Sequence, residues 1–320
     1  MKKYVITYDI GTTGIKTCLI EIEDTMRILA SATAGYNLYV DDETGVKGGA
    51  EQDADEWWAA MCSTTRTVFD KMPNIKKEQV EGISFCSAMQ GLVLVDKEGK
   101  CIRRPMTYMD QRAREELKKG MAHGVQIAGA EVTKLLKYLK YTGAVSSSVK
   151  DPIWKYRWVE AHEPENFKKI SKIMLPKDYL AYKMTGVHCT DVSDASGMLL
   201  FDVKNRCWSK EMLDICGIDE NCMAKVFESY ECVGNLTKEA AQRMGLTENV
   251  KVIAGAGDNA AAAVGTGTVG DGKCNISLGT SGTIFISSDK FGVDDNNALH
   301  SFDHADGHFH LMGCMLSAAS

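Results

Sequence analysis

The sequence predicts an α/β protein of mixed β-sheets with flanking helices, divided into two units, residues 1–248 and 249–320. Three observations carry this. Apolar residues alternate over Lys3 to Tyr8, Ile15 to Ile22 and Ile28 to Ala34 around tight turns, the pattern of a meander rather than a crossover. Helical spacing follows, and an apolar strand at Val250 to Ala254 then runs into an alanine-rich helix, which opens the second unit.

The elements follow in chain order. Asp53 caps a helix whose acidic first turn precedes Trp57, Met61, Thr64, Thr65 and Val68 on one face, as far as Phe69. Val80 to Phe85 and Leu92 to Val95 read as buried strands, with Asp96 to Gly99 as a hairpin turn. Gln111 to Tyr141 reads as mostly helical, broken at Gly120 and Gly124. Pro152 and Pro176 each precede a further helix, Ile153 to Val159 and Asp178 to Met184, and Gly186 ends the second. Four histidines, His300, His304, His308 and His310, interleave with Asp303 and Asp306, and a hairpin around Asp306-Gly307 accounts for them more simply than a metal site does.

Composition narrows the function. The 320 residues are 44% hydrophobic and 25% charged, as in a soluble globular protein. A net charge of -6 without a long basic run argues against nucleic acid as a partner. No apolar run approaches the roughly 20 residues that cross a bilayer, so no membrane role is expected. Eleven scattered cysteines without a CxxC pair fit a reducing, cytoplasmic compartment.

The chemistry gathers at three glycine-rich turns. In Asp9-Ile-Gly-Thr-Thr-Gly-Ile-Lys16, Gly11, Thr12 and Thr13 can direct N–H and hydroxyl groups at phosphate while Lys16 adds a cation; Gly279, Thr280 and Ser281 can do the same in the second half. Neither turn matches GxxxxGK[ST] or a strand-to-helix GxGxxG. Asp9 can hold Mg²⁺ or cap its turn. Asp258, at the mouth of the alanine-rich helix, can cap that helix or take a proton from a substrate hydroxyl; Asn259 beside it suits sugar hydroxyls. Met89 and Gln90 end a buried strand, where ligands to a cleft commonly sit, although Met89 serves equally as core filler. Asp110, between a strand and a helix, reads as a ligand or another cap.

Several of these segments together resemble the FGGY carbohydrate kinases: Asp9 to Lys16, Ala50-Glu-Gln-Asp53 with Trp57-Trp58, Leu175-Pro-Lys-Asp-Tyr-Leu180, Thr190 to Gly197, Gly257-Asp-Asn-Ala-Ala261 and Ser277 to Gly282. Within that family the chain looks most like xylulokinases, with His300-Ser-Phe and Met315 to Ser320 as further likenesses. The resemblance implies an actin-like ATPase (ribonuclease H-like) fold, with ATP and Mg²⁺ as cofactors and a ketopentose as substrate. It places the catalytic base on Asp258, the phosphate- and metal-linked carboxylate on Asp9, and sugar contacts on Met89, Gln90 and Asp110. Gln90 stands where the xylulokinase pattern has His, and Met109 where the family has Asn, so L-xylulose, ribulose, glycerol and gluconate stay open as substrates. Family members are longer, which implies a second domain cut short before the adenosine segment, and a sugar-binding fragment without kinase activity is the competing expectation. The oligomeric state stays open, a homodimer being one candidate.

Overall fold

A computed structural model of the chain describes residues 2–121, 126–127, 130–146, 148–278, 282–294, 296 and 298–315. The meander forms as expected. β1 (Lys3–Ile10), β2 (Gly14–Ile22) and β3 (Met26–Gly35) pair antiparallel in succession. α1 (Ala54–Asp70) starts at Asp53, whose carboxylate accepts the Asp55 N–H, and its buried face lies on these strands. Two hydroxyl pairs fix that packing, Tyr8 to Thr65 at 2.6 Å and Thr17 to Thr64 at 2.7 Å.

β4 (Val80–Ser87) lies parallel to β1, and the chain returns to this sheet much later. β5 (Cys232–Asn235), β6 (Lys251–Ile253) and β7 (Ala256–Gly257) complete a seven-stranded sheet of order β5-β6-β4-β1-β2-β3, with β7 also on β4. β6 and β7 both run parallel to β4. The division expected at residue 249 therefore falls inside the first sheet. The strand-into-helix pattern at Lys251 is present, but its strand pairs with β4 instead of opening a new sheet.

Beyond α2 (Asp258–Gly265), a separate four-stranded sheet is built from β8 (Cys274–Leu278), β9 (Gly282–Ser288), β10 (His300–Asp303) and β11 (Phe309–Met315) in the order β8-β9-β11-β10. β10 and β11 form the hairpin expected around Asp306-Gly307, with His304 N–H donating to His308 O. Here His310 lies between the rings of Phe285 and Phe302. Burial there pushes its pKa well below the usual histidine value.

The segment expected to be helical from Gln111 to Tyr141 is two helices, Arg114–Met121 and Val132–Thr142, separated by a short strand pair. Gly120 lies inside the first of these and does not break it; the Trp154 ring occupies the space a side chain would need there, which accounts for the glycine. Gly124 is outside the described residues. Tight backbone approach governs the turn into β7. Gly255 has φ +74°, and a Cβ there would overlap the Phe85 carbonyl oxygen of β4. Gly255→Ala is expected to cost about 2–4 kcal/mol of stability, since the left-handed strain of about 1–3 kcal/mol is compounded by a clash with backbone. Chemical denaturation measures it, and a loss under about 0.5 kcal/mol would show that the turn can shift.

Candidate active site

Three parallel strands end side by side, and each delivers a functional group. Asp9 stands one residue before the end of β1, Met89 and Gln90 follow β4, and Asp258 follows β7. The register is direct: Asp9 pairs with Cys86 and Lys16, Cys86 with Ala256, and Ser87 with Gly257. Outside the C-terminal ends of parallel strands is where ligands bind in open α/β sheets.

Asp258 is the first residue of α2, and Gly257 occupies the cap position without a side chain to offer. The expected capping role is thus not made by the carboxylate. Instead Asp258 Oδ1 accepts from Asn259 N at 2.8 Å and from Asn259 Nδ2 at 2.9 Å. This also commits the Asn259 amide to Asp258. Burial pushes the Asp258 pKa up to about 6, against the lowering effect of the Asn259 N–H, with Asp9 adding to the rise. A carboxylate tuned toward neutrality is suited to accepting a proton near physiological pH.

Asp9 is exposed, with the Cys86 thiol 3.7 Å from its Oδ1. Burial and the two aspartates, Asp9 before Asp258, push the Cys86 thiol up to about 12. Lys16 is exposed opposite Asp9 on β2. The turn between these strands is closed by Gly11 N–H to Gly14 O at 3.0 Å, and Tyr36 OH donates to the carbonyls of both glycines. Gly14 has no alternative: a Cβ there would meet Ala34 O at 2.5 Å. Thr12 pairs with Tyr108 OH at 3.2 Å, and Thr13 is exposed. The second turn's Gly279, Thr280 and Ser281 lie outside the described residues. An exposed carboxylate beside a turn rich in N–H and hydroxyl groups fits Mg²⁺ bound through one carboxylate and substrate phosphates. Among the described residues no group of three or more His, Cys, Asp or Glu side chains is arranged to hold a metal by itself.

A cleft lined in part by Gly11, Thr12, Gln52, Trp57, Met89 and Tyr108 lies beside the first turn and the end of β4. Met89 packs its thioether against Gly257 and Gly197, where a Cβ at Gly257 would come within 2.8 Å of Met89 Sδ. Met89 lines the cleft and packs on the backbone before Asp258. Gln90 adopts φ +62° and is held by two residues that sequence reasoning missed. Its Nε2 donates to Asp151 Oδ1 at 3.0 Å, and Lys155 Nζ donates to its carbonyl at 2.7 Å. Burial raises Asp151 to about 6 and lowers Lys155 to about 7. Lys155 sits within an aromatic helix, Pro152–His162, and nothing in the sequence period marks it as facing the cleft.

Asp110 is fully buried. Its Oδ2 accepts from Ala50 N at 2.8 Å and both oxygens accept from Arg112 Nε, while Arg112 also pairs with Glu51 at 2.6 Å. The structure thus places Asp110 in a buried ion network beneath the cleft, and it does not cap the helix that begins at Arg114. A second buried network, Lys177 with Asp178, Asp191 and Asp194, underlies Asp258.

The profile of the FGGY family of carbohydrate kinases, N-terminal domain, matches residues 4–265. The xylulose kinase of Klebsiella pneumoniae is 34% identical over 318 residues, covering 98% of this chain and 61% of the relative; that of Bacillus subtilis (strain 168) is 32% identical, covering 99% and 60%. The chain therefore spans about 61% of the length of such relatives. A crystal structure of a xyloylose kinase from Brucella ovis superposes with a TM-score of 0.86 at 30% identity, covering 98% of this chain and 61% of that one, and its fold is the actin-like ATPase fold of sugar kinases. With a family profile matching from β1 through α2, the chain belongs to the FGGY family of carbohydrate kinases.

Proposed function

We propose that the chain forms the sugar-binding and first phosphate-binding portion of an ATP-dependent kinase of a ketopentose, with D-xylulose as substrate and Asp258 as general base. The observation that supports this most is a carboxylate raised to about 6 and placed at the start of a helix, beside the strand end that bears Met89 and Gln90. Met89 lies along the sugar's carbon chain, and Gln90, its amide oriented by Asp151, bonds a hydroxyl. Asp258 takes the proton of the reacting hydroxyl as its oxygen attacks the γ-phosphorus. Gly11, Thr12, Thr13 and Lys16 meet phosphate oxygens, as do Gly279, Thr280 and Ser281 from the second turn. Asp9 holds Mg²⁺, which when bound neutralises charge on the β- and γ-phosphates.

A coupled assay of ATP consumption with D-xylulose, L-xylulose, ribulose, glycerol and gluconate tests the reading, together with calorimetry of each sugar. The highest kcat/KM is expected with D-xylulose; sugar binding without phosphoryl transfer would sink the assignment as a kinase for this chain. A second reading, another ketose or polyol, is favoured by the Gln90–Asp151 pair, since an amide held by a carboxylate presents hydrogen bonds different from those of an imidazole. Gln90→Ala is expected to raise KM for the sugar about tenfold or more with a smaller change in kcat, because a substrate hydroxyl loses its partner. An unchanged KM would remove Gln90 from the sugar site.

A further inference from the structure

The turn that carries Asp258 is tied down at three points in four residues. Ala254 O accepts from Lys177 Nζ at 3.1 Å, Gly255 N–H donates to Ser229 O at 3.0 Å, and Gly257 N–H donates to Ser193 Oγ at 3.0 Å. These ties converge on Asp191. Its Oδ2 accepts from Ser193 N at 2.9 Å, Ser193 Oγ at 2.5 Å and Ser229 Oγ at 2.7 Å, and its Oδ1 pairs with Lys177 Nζ at 2.9 Å. Lys177, Asp191 and Ser193 are each no more than 1% exposed.

Capping the short helix Val192–Ser196 requires only the Ser193 N–H bond. The remaining partners of Asp191 point toward the turn. The Ser193 hydroxyl has one proton, and Asp191 takes it, so the lone pairs of Oγ are left to face the Gly257 N–H. A charged acceptor polarises that hydroxyl and strengthens its second bond. Gly257 has no side chain, and Met89 occupies the space beside it; the pairing of β7 with β4 aligns the strand, and the Ser193 bond is the side-chain contact that holds the Gly257 N–H. The next residue is Asp258.

We infer that Asp191, acting through Ser193, is a positioning residue for phosphoryl transfer: it sets the peptide of Gly257 and thereby the place of the Asp258 carboxylate. The inference rests on the reading of Asp258 as base. Misplacing a reacting group by a fraction of an ångström costs rate without weakening substrate binding.

Two buried serines provide the test, because both bond to Asp191 and only Ser193 reaches the turn through its side chain. Ser193→Ala is expected to lower kcat about tenfold or more with the sugar KM within about twofold, and to speed hydrogen exchange of the Gly257 amide about tenfold, the scale of one unsatisfied buried group. Ser229→Ala is expected to leave kcat and Gly257 exchange within about threefold, even where it lowers Tm equally. Ser193→Cys keeps a side-chain acceptor, though a weaker one, and should fall between, and it replaces the alanine variant if that chain does not fold. Equal kcat losses in the two alanine variants, a change confined to KM, or unaltered Gly257 exchange would overturn the inference. Should the unmodified chain transfer no phosphoryl group, the reading of this chain as a kinase fails, while the amide exchange still decides the positioning.

Discussion

Asp258→Asn is expected to lower kcat for phosphoryl transfer to D-xylulose by about 10²–10⁴-fold, while the sugar dissociation constant stays within about twofold. Asparagine keeps the shape and an acceptor oxygen for the Asn259 N–H, so only the capacity to take a proton is removed. The unmodified protein should also show an acid limb in kcat/KM with a midpoint near 6, activity falling as pH drops below it because the base becomes protonated. Burial is the main cause of that midpoint and Asp9 a secondary one, so Asp9→Asn should move the limb to lower pH. An asparagine variant with turnover within about threefold of the unmodified protein would remove Asp258 from the reaction.

Lys177→Met is expected to cost about 3–5 kcal/mol of stability, the usual result of removing one partner from a buried ion pair. Lys177 Nζ lies 3.0 Å from Asp178, 2.9 Å from Asp191 and 3.8 Å from Asp194. Burial alone would depress this ammonium, but the three carboxylates outweigh it and hold its pKa well above the usual lysine value. Burial also raises Asp194 well above the ordinary carboxylate range. A carboxyl whose folded pKa is raised contributes stability that is complete below its unfolded pKa and is lost as pH rises through the folded one. Without the ammonium, Asp178 and Asp194, both already raised by burial, rise further. The penalty of Lys177→Met should therefore grow from pH 5 to pH 8, and denaturant unfolding at both values measures it. Equal penalties would mean that the lysine contributes packing rather than charge.

Local signals in the sequence were reliable where one short segment decided the outcome. Asp53 caps α1, Gly186 in the left-handed conformation ends the helix Pro176–Thr185, and Asp306-Gly307 turns the last hairpin, each through bonds made within a few residues. Partners distant in sequence left no such mark. The period of residues 250–265 gives a strand and a helix correctly, but not that the strand pairs with β4, some 170 residues earlier. Asp110 read as a cleft ligand because its type suits one; its commitment to Arg112 and Ala50 depends on a fold that brings residues 50 and 110 together. Asp151, Lys155 and Ser193 were invisible for the same reason: each acts on a residue more than 60 positions away.

The pairing of β7 with β4 has a mechanical consequence. Ser87 is bonded in register with Gly257, so Met89 and Gln90 lie two and three residues beyond one strand end and Asp258 one residue beyond its neighbour. Adjacent strands stay about 4.8 Å apart whatever the rest of a protein does. Motion elsewhere in the molecule therefore leaves the spacing of these two strand ends unchanged. On the proposed roles of Met89, Gln90 and Asp258, gating would then act on the phosphate side.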